Sequence, residues 1–348
     1  MKQINFFAED NRLERLSEMG DPLEKITETI DFEMFRPILN KVFRKERASV
    51  GGRPAWDYVM MFKILLLQQW YGIADDRAEY VINDRLSFQR FLGISLGDKV
   101  PDAKTIWLFR ENLTKSGKTE ELFSLYERLM ENKGIITRKG SIIDATFAEA
   151  PRQRNTRDEN KIIKEGKGDE LWEGEENKRR QKDIDASWTK KNNETYFGYK
   201  DHVKVDKDSK MIVDYTVTDA SVHDSQQLVE LIDEKDEVVF ADSAYAGEEF
   251  EEALLEKNPN LDIKIHEKGY RNKPLTEEQK ESNRIKSKDR ARVEHVFGHM
   301  TNSYGGIFVR SIGIERAKCQ LGLKNLAYNL QRYESLVRLR RVPVPIQG

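Results

Sequence analysis

The chain has 348 residues, 38% hydrophobic and 34% charged, which is polar for a globular protein but leaves enough clustered apolar residues for one large domain or two smaller ones. Its one cysteine, Cys319, excludes an internal disulfide and any multi-cysteine zinc site. The longest apolar patch, Val59 to Leu67, is interrupted by Lys63 and is too short to span a bilayer, and the net charge of −2 carries no overall nucleic-acid signature.

Residues from about 8 to 48 read as helices. Asp21-Pro22 suits a helix start, and Ile26, Ile30 and Phe35 supply an apolar stripe. Gly51-Gly52-Arg53-Pro54 is a break. From Asp57 a strong helix follows, with Val59, Phe62, Lys63, Leu66 and Leu67 at helical spacing, and it closes at Gly72. Short helices are expected at Asp75 to Ile82 and at Asn83 to Gly93. Asp102 is a candidate N-cap for a helix through Trp107, Leu108 and Leu113. Residues 1–134 are therefore expected to form an all-helical domain.

Composition changes at Gly134. Ser141 to Ala148 is strand-like, whereas residues 151–194 are hydrophilic and read as a mobile insertion. A hairpin is expected from Thr195 to Val205 and Met211 to Thr218, turning at Asp206 to Lys210. A helix at Asp224 to Asp233, a strand at Val238 to Ala241, a helix at Glu248 to Lys257 and a strand at Ile263 to His266 follow. A basic helix covers Asn283 to Met300, and a last helix Ile314 to Arg341. This order predicts an α/β domain over 135–348, a mixed sheet with helices on its faces.

Three acids stand out. Asp144 interrupts the strand Ser-Ile-Ile-Asp-Ala-Thr-Phe, and Asp242 follows Val-Val-Phe-Ala at a strand's C-terminal end, where α/β sheets commonly place ligand-binding groups. Glu294 lies on the basic helix, bordering the stripe Val293, Val296, Phe297 and Met300, with Arg290 one turn earlier and Gly298 one turn later. Carboxylates without Cys suit Mg²⁺ or Mn²⁺, and two such ions can serve phosphoryl transfer. Residues 264–348 hold 18 Lys and Arg against 8 Asp and Glu, a local excess that fits a polyanion surface or, equally, a solvated helical face. His295 and His299 are four apart, a spacing that can hold zinc, but they lack the His-Glu-x-x-His order and read as surface or DNA-facing. His202 and His223 lie beside the hairpin, lining the site or bonding locally; Trp188 and Tyr199 are base-stacking or core residues. The N-terminus lacks the apolar run of a signal peptide, so a cytoplasmic location without a membrane partner is expected.

The ordered set of these segments resembles bacterial insertion-sequence transposases of the DDE type, of the IS-five family. Gly52-Arg-Pro54, Ser87-Phe-Gln-Arg-Phe-Leu-Gly93 and Pro101-Asp-Ala-Lys-Thr-Ile-Trp-Leu-Phe-Arg110 look like that family's helical N-terminal domain, expected to bind DNA ends or dimerise. Phe197-Gly-Tyr-Lys-Asp-His202, Val222-His-Asp224, Phe240-Ala-Asp-Ser-Ala-Tyr-Ala-Gly247 and Arg292-Val-Glu-His-Val-Phe297 look like its catalytic domain. The resemblance implies an RNase H-like fold in which Asp144, Asp242 and Glu294 are catalytic and hold Mg²⁺ or Mn²⁺, two ions in all. It implies DNA contacts from Arg290, Arg292, Lys286, Lys288, Lys200 and His202. A related motif runs Tyr, Arg, Glu, Lys along the last catalytic helix; Arg290 and Glu294 match it, while Ser287 and Thr301 depart from it. The implied activity is binding of terminal inverted repeats, cleavage to 3′-OH ends and joining to target DNA, by a homodimer in the bacterial nucleoid. A decayed transposase that only binds DNA, and a plain metal-dependent nuclease, are the rival readings.

Overall fold

Asp21 and Pro22 open a helix as the sequence predicts: the Asp21 carboxylate accepts from Leu23 N, and Pro22 takes the first helical position. The computed structural model describes residues 8–44, 55–191, 193–269 and 274–342. The expected break at Gly51 to Pro54 lies outside them. The helices of the first part are α1 (Ala8–Glu18), α2 (Pro22–Thr29), α3 (Arg36–Phe43), α4 (Tyr58–Tyr71), α5 (Asp75–Asp84), α6 (Leu86–Leu92), α7 (Ala103–Ser116) and α8 (Thr119–Asn132). Asp57 and Asp102 cap α4 and α7 through their carboxylates, and Gly72 ends α4 in the left-handed conformation that glycine adopts without strain.

The apolar stripe expected on α4 is in fact nearly a whole cylinder. Met60, Met61, Ile64 and Leu65 are buried along with Val59, Phe62, Leu66 and Leu67, because α4 is surrounded by α3, α6 and α7. The chain divides into two compact units, one of residues 1–125 with 326–348 and one of residues 126–325. Within the first, Trp70 Nε1 donates to Ala327 O at 2.9 Å, so the chain's C-terminal segment belongs to the helical unit's own hydrogen bonding.

The second unit is a mixed sheet with helices on both faces. Its elements are β1 (Ser141–Glu149), α9 (Arg157–Lys164), α10 (Glu176–Arg179), β2 (Ser187–Lys191), β3 (Glu194–Asp206), β4 (Ile212–Asp219), α11 (Ser225–Leu231), β5 (Val238–Ala241), α12 (Glu248–Lys257), β6 (Asp262–Ile265), α13 (Glu277–Ser303) and the first half of α14 (Ile314–Arg338). The strand order is β2-β3-β1-β5-β6, with β4 alongside β3. β2 and β4 share one edge of the long β3, pairing antiparallel with its first and second halves. β1 is antiparallel to β3 and parallel to β5, and β5 is parallel to β6. This is the RNase H-like arrangement expected. Gly198 permits it locally: a Cβ there would lie 2.3 Å from Ala148 O, so only glycine lets β3 pass this close to β1.

On one face Ile143, Val239 and Ala241 pack with Leu228, Leu231, Leu254 and Tyr245. On the other face the α13 stripe Val293, Val296 and Met300 is fully buried against the sheet. Each such side chain contributes roughly 1.5–3 kcal/mol of burial free energy, and together they fix α13 across the strands.

Residues 151–194, expected to be a mobile insertion, carry structure. α9 starts with a reciprocal capping box between Thr156 and Glu159, and Trp172 is buried with Nε1 donating to Glu159 Oε1 at 2.7 Å. β2 extends the sheet, and Asp185 Oδ2 accepts from Ile314 N at 2.8 Å, capping α14. Hydrophilic composition hid this because the segment's charges pair with one another and with the unit it joins.

Candidate active site

Asp144 and Asp242 reach the same place from different strands. The β1–β5 register pairs Ile142 with Phe240, so Asp144 and Asp242 each lie two residues further along neighbouring parallel strands, close enough for the Asp242 charge to act on Asp144. The next strand continues the row. Ala241 pairs with Ile265, and His266 N donates to Ala241 O at 3.2 Å, which places His266 level with Asp242. Asp242 and His266 thus directly follow the ends of two adjacent parallel strands, and Asp144 lies within the neighbouring β1.

Each acid has one oxygen held by the backbone. Asp144 Oδ1 accepts from Ala145 N at 2.9 Å, and Asp242 Oδ1 accepts from Ala244 N at 2.7 Å, capping the single turn Ser243–Tyr245. Burial pushes the Asp144 carboxyl up to about 6; the Ala145 N–H and the Arg290 guanidinium pull it down, and the charge of Asp242 adds to the rise. The buried Tyr245 hydroxyl has no hydrogen-bond partner among the described residues, and burial, then the charges of Asp144, Asp224 and Asp242, raises it well above the usual tyrosine range.

Helix α13 brings positive charge to this row. Arg290 Nη1 donates to Asp144 Oδ2 at 2.9 Å and its Nη2 donates to Glu294 Oε1 at 3.0 Å. Glu294 is the most open of the three acids, its side chain 61% exposed against 16% for Asp144. Ser287, where the related motif has Tyr, bonds with His266: its Oγ lies 3.0 Å from His266 Nε2 and donates to Asn283 O at 2.8 Å. Burial lowers the His266 pKa; the Asn283 carbonyl opposes this, while Arg290 and Lys286 reinforce it. His266 stands in the candidate site, and no motif marked it. The available signal was its position at the end of the strand Ile263 to His266, the same logic that marks Asp242.

The other expected site residues divide. Lys288 is exposed on α13. Lys286 donates to Ile265 O at 2.9 Å, and Arg292 donates to Lys207 O at 2.8 Å in the β3–β4 turn. Lys200 and His202, expected at DNA, are instead inside the unit. Lys200 is buried, donating to Val222 O at 2.6 Å and Asp224 Oδ1 at 2.7 Å. His202 is fully buried against Thr218 Oγ1, and burial lowers its pKa to about 4, so it is neutral at pH 7. The reason is topological: β3 is flanked by strands on both edges and covered on both faces, so its polar residues point inward. Tyr199 is likewise buried, its hydroxyl within 2.9 Å of both Asp183 oxygens, and Trp188 packs on Phe197. His223 is exposed, with Nδ1 2.7 Å from Ser225 Oγ. His295 is exposed and His299 packs edge-on to Tyr304.

Among the described residues no three His, Cys, Asp or Glu side chains stand close enough together to hold an ion. Asp144 and Asp242 nonetheless fit a shared divalent cation by donor chemistry: two hard carboxylates side by side, one of them raised by burial and by its neighbour's charge, a combination that a cation relieves. Glu294 fits less directly, since it does not stand close enough to the other two to form a cluster of three with them. No helix among the described residues is long and apolar enough to cross a membrane.

Residues 136–330 match the family described as the transposase DDE domain, and residues 11–112 match a second, described as a transposase domain (DUF772). Among solved structures the chain is similar to the piggyBac transposase of a cryo-EM synaptic complex with hairpin DNA. The identity is 13% and the TM-score 0.46, over 94% of this chain and 77% of that one. The acids stand inside the first match, which spans more than half of the chain, and the chain belongs to the insertion-sequence transposases with a DDE domain.

Proposed function

We propose that the protein binds the terminal inverted repeats of its insertion sequence, cleaves to give 3′-OH ends and joins them to target DNA, with Asp144, Asp242 and Glu294 as its catalytic acids. The observation that carries this reading is the pairing of Asp144, within β1, with Asp242, just past the end of the adjacent β5, under a helix that presents Arg290 and Glu294.

Asp144 and Asp242 would share a Mg²⁺ or Mn²⁺ ion, and Glu294 would serve a second. Such ions supply positive charge to the attacking and departing oxygens of a phosphodiester. The chain's own groups then bind and orient. Arg290 offers a planar fork to a phosphate, and exposed Lys288 adds charge on the same helix. Water in cleavage, and the DNA 3′-OH in joining, are the nucleophiles, so no protein nucleophile is needed. Two ends must be held at once, which supports a homodimer on DNA, with the helical unit binding ends or the partner copy.

The test is a plasmid carrying the gene with its natural flanks, incubated with purified protein and Mg²⁺ or Mn²⁺ beside Asp242→Asn. Paired cuts at inverted repeats and joined products, absent with the mutant, are expected when 3′-OH ends are mapped by sequencing. Specific binding at the flanks without cleavage would replace this reading with the binding-only one, and breaks without joining would replace it with a nuclease.

A further inference from the structure

The Arg290 guanidinium spans two of the three acids, Asp144 through Nη1 and Glu294 through Nη2. Helix geometry allows this, because Glu294 lies one turn beyond Arg290 while Asp144 projects from the sheet below. Asp144 Oδ1 is already committed to the Ala145 N–H. Arg290 is on the other oxygen, Oδ2, so both oxygens of Asp144 carry a donor and a cation must compete with the guanidinium for Oδ2 to engage the carboxylate fully. A guanidinium N–H and a divalent ion both seek that oxygen's lone pairs, and at such separations their positive charges repel.

The helix does not depend on this contact for its place. Val293, Val296 and Met300 are buried to 0% exposure, Lys286 donates to Ile265 O, and Asn283 and Ser287 bond with His266. The Arg290 side chain itself is 24% exposed, so its fork can leave for solvent without unpacking the core.

We propose that Arg290 competes with the divalent ion for Asp144 and Glu294, so that the site loads its ion tightly only when a DNA phosphate draws the guanidinium away. This rests on the metal-binding role given to the acids under Proposed function. Without DNA, Arg290 keeps the two carboxylates neutralised and ion affinity low. With DNA, the fork exchanges carboxylates for phosphate. Linkage then requires reciprocity: DNA raises ion affinity by the same factor by which the ion raises DNA affinity.

The experiment measures Mn²⁺ affinity of the full-length chain from the free-ion electron paramagnetic resonance signal, first without DNA. Arg290→Gln is expected to bind Mn²⁺ about tenfold more tightly, the lower range for losing hydrogen bonds between charged groups. Arg290→Lys is expected to tighten as well, because one ammonium cannot fork both acids. Arg284→Gln removes a charge from the same helix at an exposed pair with Glu281 and should change nothing. Adding duplex DNA of the gene's own flanks should raise wild-type Mn²⁺ affinity and leave Arg290→Gln unmoved. The proposal is overturned if Arg290→Gln binds no more tightly, or if Arg290→Lys keeps wild-type affinity while Gln gains, which would leave charge alone as the cause. It is also overturned if DNA produces no wild-type gain. If Asp144→Asn leaves wild-type Mn²⁺ affinity unaltered, the ion is not held by these acids, and the reading under Proposed function falls instead.

Discussion

Arg290 donates to Asp144 Oδ2 at 2.9 Å across 146 residues of sequence, joining the helix that carries Glu294 to the strand that carries Asp144. A contact of that span exists only in the folded unit, and it places the site's positive charge on an acid that burial alone would leave costly to ionise.

Asp242→Asn keeps the Oδ1 acceptor that caps the Ser243–Tyr245 turn while removing the carboxylate charge. Folding and DNA binding should survive, and strand cleavage should fall on the order of a thousandfold, the upper range for deleting one electrostatic group from an active site. Gel-shift and cleavage assays on the same preparation check both.

The raised pKa of Asp144 makes a stability prediction for metal-free protein. Its folded value, about 6, lies above an unfolded value near 4. The folded state therefore holds a proton that the unfolded state releases between those values. The associated stability is fully present below about pH 4 and is lost as pH rises through 6. Relative to Asp144→Asn, the wild type should lose about 2 kcal/mol over that interval, read from urea unfolding at each pH.

Arg138 is a structural centre at the opposite end of β1. It donates to Glu127 Oε1 at 2.7 Å and to Asp233, with Glu131 at 3.3 Å, and its side chain is 10% exposed. Arg138→Met should cost about 3 kcal/mol, because it strands buried acids without a partner. Urea denaturation should show this as a lower midpoint with an unchanged slope.

Asp201 and Asn325 form a buried polar pair, with Asn325 Nδ2 donating to Asp201 Oδ1 at 3.2 Å. Burial drives the Asp201 carboxyl up to about 7. A neutral isostere should therefore be tolerated: Asp201→Asn should cost under about 1 kcal/mol at pH 7, whereas Asp201→Ala should cost about 2 kcal/mol by orphaning the Asn325 amide. Thermal melts of the two variants rank them.

Lys288 and Lys200 should behave oppositely on DNA. Lys288→Ala should weaken binding and reduce the salt-dependence slope by about 1, as loss of one phosphate contact does. Lys200→Ala should leave the slope unchanged and lower stability, because it breaks the contacts to Asp224 and Val222 O. Fluorescence anisotropy across a salt series separates the two.

Much of the architecture was legible in the amino-acid pattern. The caps Asp21, Asp57 and Asp102, the stop at Gly72 and every strand of the sheet except β2 stand where local rules put them. Two features were not. The 151–194 stretch looks unable to bury anything, yet Trp172, Asp183 and Asp185 anchor it through partners far away or across charged turns. The polar residues of β3 look like a surface, because alternation along one strand says nothing about whether both its faces and both its edges are covered.

Local chemistry dictates which segments become strands and helices, that two strands carry a carboxylate at a costly position, and that the late helix is basic. Each of these depends on neighbours within a few residues. Register, burial and long-range pairing depend on how elements stack. Only the tertiary structure could set Asp144 beside Asp242, add His266 to their row, lay the Arg290 fork across two acids and withdraw Lys200 and His202 from solvent.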